Sequence, residues 1–424
     1  MRILAPSYVD PSRRHIRTVM FNNIFASLRA MVDLDVTWMI FQPDRFEPRG
    51  GEKVINMHDF GDAVSLLESA DPDCLLVTST DDLVQHSLCA AARFLGITVF
   101  SIYVYPVAGD GRNTMPAHRS TAIVLRRLAS DSVATDSAGQ GRPLRRGRFI
   151  MRKAGFLLAT LRRTGAGAGS PLAAVARKLV SDVYGKSPSY NLLADYHLLP
   201  DDSWIPLLEG SGVKRDRILV TGNPYWEDFG ALGDPRPPLP EPGAPARILI
   251  VTDSLLGHNY WTRTESESFI RRLVSGLSED SSLDLSIKIH PASEDVEYYR
   301  GLLADRPGIR IYQPEKISSI IRGFDLAVSF GGTTAHTEVI ASGTRLVLVD
   351  LGLGLPPMPL HEEGIASGLV SVCGSVDGIV AAVRGSLSMD VAISGDLDAK
   401  RRELFPPGSG ASARIAGVIS KIKK

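Results

Sequence analysis

Strand-like and helix-like segments alternate along this chain in two series, one on each side of a proline-rich stretch, DPRPPLPEPGAPA, at 234–246. Proline continues neither a sheet ladder nor a helix, so this stretch separates two bodies. Before it, strand patterns fall at 1–8, 36–41, 73–78 and 97–104, with helices over 16–31 and 83–95. Strand-like sequence resumes at 194–199 and 218–221. After it, strands are expected at 247–254, 283–289, 309–312, 326–329 and 346–349. Helices are expected at 266–277, 296–303, 317–321 and 333–341, and in the closing ASARIAGVISKIKK. Strands spaced by helices predict parallel, doubly wound sheets covered on both faces. At 424 residues the chain exceeds one ordinary core. The expectation is an α/β protein with an N-terminal domain over 1–230, a linker at 231–246, and a C-terminal domain over 247–424 that keeps the terminal helix.

Within 285–351, two of the apolar strands end in polar loops. His290 and Pro291 leave the first strand; Gly331, Gly332, Thr333 and Thr334 leave the second and open a helix. In an open parallel sheet, ligands collect beyond the carboxyl ends of strands. Glycines admit close backbone approach, and unpaired amides at a helix start carry partial positive charge. The segment therefore predicts a nucleotide-phosphate site. His290 donates to a phosphate or ribose oxygen while Pro291 fixes the turn. Ser329, Thr333 and Thr334 line or cap the loop, and Glu338, about one turn into the helix, accepts from ribose hydroxyls. Asp253 and Ser254 end the first strand after the linker and face the same ligand, with the polar aromatic run 258–261 following. Tyr312 and the residues to 316 close over a base through backbone groups. Purely structural readings stand beside these: a histidine packed at a strand end, a glycine turn needed for packing, and a surface glutamate.

GGTTAH lacks the lysine of a Walker loop, no GxGxxG fingerprint occurs, and no DxD motif stands out. The dispersed histidines lack ligand spacing, so neither a metal nor a cofactor is expected. A transfer reaction needs a base, and the first domain offers Asp10, His15 and the pair Asp81 and Asp82 at strand ends. For the last two, helix capping is the favoured reading.

The formal net charge of +0 conceals an asymmetry. Residues 111–178 carry fourteen Lys+Arg against two Asp, giving +12, and the remainder carries −12. In GRFIMRKAGFLLATLRR, apolar residues alternate with Arg145, Arg146, Arg148, Arg152, Lys153, Arg162 and Arg163. A basic amphipathic helix of this kind suits an anionic membrane surface or an acidic glycan, within an insert over 110–186. The bland reading docks the apolar stripe on the core. Three scattered cysteines form no disulfide framework, and no apolar run spans a bilayer. The expected setting is cytoplasmic and peripheral to the inner face of the cell membrane, with no nucleic-acid partner.

Taken in order, Gly222-Asn223-Pro224, the linker, a strand, His290-Pro291, then the Ser/Gly/Thr loop opening a helix that ends Ala341-Ser342-Gly343, resemble the GT-B class of nucleotide-sugar enzymes. Two groups are similar: the UDP-N-acetylglucosamine 2-epimerases, and capsule or surface-polysaccharide transferases, including CMP-sugar enzymes. The closing GSGASARIAGVI is similar to the capsule-type and CDP-glycerol transferases. The resemblance implies two Rossmann-like domains facing a central cleft and a nucleotide sugar (CMP-, CDP- or UDP-linked) on the second. It implies a surface-polysaccharide or lipid-linked glycan as acceptor, without a metal. His290 would match the histidine that contacts donor phosphate, and Ser329, Thr333 and Thr334 the serine/threonine motif. A GTRPE-like epimerase loop is absent from MRILAPSYVDPSRRH, and the paired acids of the epimerase helix are reduced to Glu338. Transferase chemistry therefore leads, ahead of a nucleotide-sugar epimerase or hydrolase and of a non-enzymatic membrane-associated partner with a degenerate site.

Overall fold

The computed structural model describes residues 1–7, 16–40, 51–79, 82–103, 146–165, 170–184, 192–227, 243–253, 255–256, 260–291, 294–352, 358–389, 394–405 and 410–422. They form two compact units, each built on one parallel sheet.

In the first unit the strands are β1 (Arg2–Pro6), β2 (Asp35–Ile40), β3 (Lys53–Asn56), β4 (Cys74–Thr78), β5 (Thr98–Ile102), β6 (Tyr196–Leu199) and β7 (Ile218–Val220), in the order β3-β2-β1-β4-β5-β6-β7. Every ladder is parallel. The helices are α1 (Ile16–Arg29), α2 (Ala63–Ala70), α3 (Leu83–Leu95), α4 (Arg146–Thr164), α5 (Pro171–Tyr184) and α6 (Ile205–Gly210). Central strands such as LLV of β4 are apolar throughout because helices cover both faces of such a sheet.

The basic segment enters this unit as α4 and α5. Phe156, Leu157 and Leu161 of α4 are buried against α2 and α3, and Thr160 Oγ1 accepts from the Ala63 amide at 2.9 Å. This corrects the membrane-facing reading of the apolar stripe, which packs inward. Its basic residues lie outside: Arg152 and Arg162 are exposed, and Arg163 pairs with Asp62 and Glu68. Arg145 lies outside the described residues, as does most of the insert, and the side chains of Arg146 and Arg148 are not described. Lys153 is half-buried.

The final helix α14 (Ala411–Ile422) also belongs to the first unit, whereas the sequence places it with the second domain. Ile415, Ala416 and Ile419 are buried among Phe21, Phe25 and Trp38, and each fully buried isoleucine contributes about 1.5–3 kcal/mol. Gly222 turns at φ +86, where a Cβ would press on Arg414, whose Nε donates to Thr221 O at 2.9 Å. The Ser412 amide donates to Glu227 at 2.7 Å. The Gly-Asn-Pro motif and the closing Ser-Ala-Arg motif are thus two halves of one docking contact.

The second unit carries β8 (Ala246–Val251), β9 (Leu283–Lys288), β10 (Arg310–Tyr312), β11 (Leu326–Phe330), β12 (Arg345–Val349) and β13 (Val370–Cys373), ordered β10-β9-β8-β11-β12-β13 and parallel throughout. Its helices are α7 (Arg263–Ser278), α8 (Val296–Leu302), α9 (Ile317–Ile320), α10 (Ala335–Ala341), α11 (His361–Ala366), α12 (Ile379–Ser388) and α13 (Gly395–Leu404). Thr262 and Glu265 close a capping box on α7. The strand order reverses between β8 and β11, which is the switch point where such sheets admit ligands.

Candidate functional site

At that switch point, Asp253 follows β8 and the Gly331–Gly332 loop follows β11. The Gly332 amide donates to Asp253 Oδ2 at 2.8 Å. Gly331 sits at φ +78, and a Cβ there would collide with Oδ2 and lie 2.9 Å from the Asp253 Cβ. Glycine is required by an internal carboxylate, and the Gly332 amide is already engaged. The expected open anion cradle is corrected in a second respect. The helix begins at Ala335, not Thr333, and runs only seven residues. Thr334 makes no side-chain cap bond, while Thr333 Oγ1 accepts from the Ala335 amide at 3.3 Å.

The end of β9 supplies the densest polar chemistry. His290 and Pro291 are half-buried. The His290 amide donates to Glu294 Oε2 at 2.6 Å, the same oxygen accepts from Thr252 Oγ1, and Tyr299 OH donates to Oε1 at 2.7 Å. Gln313 Nε2 donates to Glu294 O at 2.7 Å. One glutamate therefore ties the loops after β8, β9 and β10 together. Burial pushes its carboxyl upward, against the bonds from His290, Thr252 and Tyr299 that favour the anion.

Lys288, the last residue of β9, is 5% exposed. Its Nζ donates to Ile289 O at 2.7 Å and Gln313 O at 3.0 Å. Burial pulls the ammonium down to about 8, opposed by the charges of Glu338, Glu315 and Glu294. Glu338 is 3% exposed on α10, so it is not a surface glutamate. Tyr312 spends its carbonyl on the Ile289 amide, and Gln313 spends its carbonyl on Lys288 and its amide on Glu315. Those backbone groups hold the protein together and do not await a base, which corrects the role expected of Tyr312. Trp261 stacks on Phe330 and tilts against Phe269, so this part of the aromatic run is core.

Ser329 is fully buried, its Oγ donating to Val251 O at 2.9 Å. It meets His336 Nε2 at 2.8 Å, so that nitrogen carries the proton. The His336 ring stacks on His361 with centroids 5.1 Å apart. His336 Nδ1 and His361 Nε2 have no partner among the described residues. Burial pulls His336 down to about 3, with His361 adding to the shift, and pulls His361 down to about 4. Both rings are neutral when folded, whereas the unfolded chain takes up protons below about 6.5. Stability is therefore full above that pH and is lost as pH falls towards 4 and then 3, each histidine adding a slope of up to about 1.4 kcal/mol per pH unit. His361→Phe keeps a ring on His336 and removes one titration. Urea melts across pH 4–6.5 should show a shallower decline for this variant, and an unchanged slope would refute the assignment.

The chain is similar along its length to solved glycosyltransferases and to a UDP-GlcNAc 2-epimerase. It is similar to CalG4, the calicheamicin glycosyltransferase, with a TM-score of 0.53 and 16% identity over 99% of this chain and 97% of that one. The spinosyn forosaminyltransferase SpnP matches at 0.51 and 16% over 100% and 99%. The UDP-GlcNAc 2-epimerase of Methanocaldococcus jannaschii, solved with UDP-GlcNAc and UDP, matches at 0.51 and 12% over 99% and 99%. The fold is GT-B. Identities this low speak to fold alone. No family model matches the sequence, and no curated protein matches it.

On this GT-B frame the structure brings together His290, Pro291, Asp253, Gly331, Gly332 and Glu338 at the carboxyl edge of the second sheet. Ser254 lies outside the described residues, as do the first-domain candidates Asp10 and His15. Asp82 caps α3, accepting from the amides of Val84 and Gln85 at 2.9 and 3.0 Å and from Gln85 Nε2 at 3.1 Å. Among the described residues no group of three or more His, Cys, Asp or Glu is placed to hold a metal, and no helix is long and apolar enough to cross a membrane. Sequence reasoning missed Lys288 and Glu294, the two groups that order the site.

Proposed function

We propose that this protein is a glycosyltransferase that moves a sugar, or a sugar-like group, from a nucleotide-activated donor to a surface-polysaccharide or lipid-linked glycan. The observation that carries the reading is the second unit's carboxyl edge. There a half-buried histidine, His290, follows closely on a buried ammonium, Lys288, along the chain, with the buried carboxylate of Glu338 contributing to the field at the lysine. A nucleotide diphosphate brings negative charge, which favours the protonated form of a lysine that burial alone depresses. His290 offers a hydrogen bond to the departing phosphate, where charge develops in the transition state. Glu338 accepts from ribose hydroxyls. The fold is shared with glycosyltransferases and with a UDP-GlcNAc 2-epimerase alike, and the lack of a GTRPE-like loop in the first strand's sequence argues for transfer over epimerisation.

Two measurements test this reading. Thermal-shift titration with UDP, CMP, CDP and GDP should select one base, with about 2.7 kcal/mol of stabilisation at a hundredfold excess over Kd. With that donor, His290→Ala should lower transfer by about a hundredfold or more while leaving the melting temperature of the free protein unchanged. Full activity in the variant, or conversion of UDP-N-acetylglucosamine to its 2-epimer without acceptor, would overturn the assignment.

A further inference from the structure

A cavity opens at the other edge of the first sheet. Its walls come from the end of α3, the residues leading into β6, and the turn between α6 and β7. Each segment precedes a strand, so the cavity lies at the amino edge, away from the edge where an α/β sheet takes its nucleotide. The free space is about 260 Å³, below the range of pockets for drug-sized ligands.

Its charge is one-sided. Arg93, Lys214 and Arg217 line it, and none of the three makes an ion pair among the described residues. The single acid in the wall, Asp195, is committed to the Val99 amide at 2.9 Å. Arg217 is held over the Tyr196 ring, 4.9 Å from its centroid, which orders its guanidinium.

The wall also contains His197, fully buried on β6. Its Nδ1 meets Tyr103 OH at 2.9 Å. The other ring nitrogen, Nε2, has no partner among the described residues. Ser101, the register partner of His197 on β5, likewise holds a buried hydroxyl without a partner. Native interiors seldom leave such groups unpaired. Three cations that make no ion pair among the described residues line one small cavity, and they match the several acceptor oxygens of a phosphate group.

We propose that this cavity is a second anion site, independent of the donor site, that takes a phosphate monoester or diphosphate no larger than a phosphorylated monosaccharide. A soluble sugar phosphate and a lipid head group both present such a phosphate. Isothermal titration of the full chain with glucose 1-phosphate and with inorganic pyrophosphate addresses the first source. Flotation with phosphatidylcholine vesicles containing phosphatidic acid addresses the second. In the soluble arm the His197 ring resonances should move on titration. Arg93→Gln/Lys214→Gln/Arg217→Gln, all at exposed positions, should weaken binding about tenfold or more in whichever arm binds, with the melting temperature unchanged. The nucleotide-induced thermal shift should also persist in that variant, so failure of this site and failure of the donor site read out separately. Absence of binding in both arms at millimolar ligand, or equal binding by the triple variant, would overturn the proposal.

Discussion

Gly331→Ala should destabilise the second unit by about 2–5 kcal/mol, lowering its melting temperature by roughly 4–20 °C. Two penalties add. The residue sits at φ +78, a left-handed backbone that costs an L-residue about 1–2 kcal/mol. The added methyl also meets the Asp253 carboxylate, which is held by the Gly332 amide, so overpacking contributes about 1–3 kcal/mol. Gly96→Ala is the internal control. Gly96 has φ +72, but nothing lies within 4 Å of its absent Cβ, so that change bears the backbone penalty alone. Differential scanning calorimetry of both variants separates the terms. Equal losses would show that Asp253 yields freely and that the glycine serves the turn only. A larger loss at Gly331, together with a reduced nucleotide-induced shift, would show that the carboxylate sets the loop a ligand meets.

Most of the strands were the legible part of this chain. Short apolar runs bounded by turn residues are strands in either unit, and the helix at Leu83–Leu95 has the bounds its amphipathic pattern predicts. One edge strand of each sheet was not legible: β3 reads KVIN and β13 reads VSVC, each four residues long and partly exposed, with little pattern to register. The stripe of α4 misled because an apolar face looks the same whether its cover is lipid or protein, and its cover here, α2 and α3, ends at Leu95, well before α4 begins at Arg146.

The site failed to show for a related reason. In LDLSIK, Leu283, Leu285 and Ile287 alternate with Asp284, Ser286 and Lys288, which reads as one wet face. A doubly wound sheet has no wet face at its centre, so Ser286 and Lys288 are buried and only Asp284, near the start of the strand, stays exposed. Glu294 was hidden among the acids of PASEDVE, where nothing in the sequence marks one carboxylate as the inward one. Its role is visible only once three strand-end loops converge on it.

That convergence makes Glu294→Ala the more damaging of two changes at one position, and Glu294→Gln the informative one. Alanine leaves the Thr252 hydroxyl, the His290 amide and the Tyr299 hydroxyl without their shared acceptor. An unsatisfied buried donor costs about 1–3 kcal/mol, and Thr252 retains a 3.4 Å alternative in Lys288 O, so the expected loss is about 3–5 kcal/mol. Glutamine keeps the shape. Its carbonyl oxygen takes the place of Oε2 and accepts from His290 and Thr252, while its amide faces Tyr299, whose hydroxyl turns to accept. Glutamine also removes a titration. Burial raises the carboxyl of Glu294, so the folded state holds its proton more readily than the unfolded chain does. The stability this gives the wild type is present at low pH and is lost as pH rises through the raised value. The balance between Glu294→Gln and wild type should therefore move in the variant's favour from about pH 4.5 upward. Denaturant melts at pH 4.5 and 7.5 measure both effects. If alanine and glutamine prove equally destabilising, the glutamate acts through its charge and not by joining the loops. If glutamine alone preserves the fold and the nucleotide-induced shift, the loops after β8, β9 and β10 form one unit, and His290 is held in place by hydrogen bonding that requires no net charge.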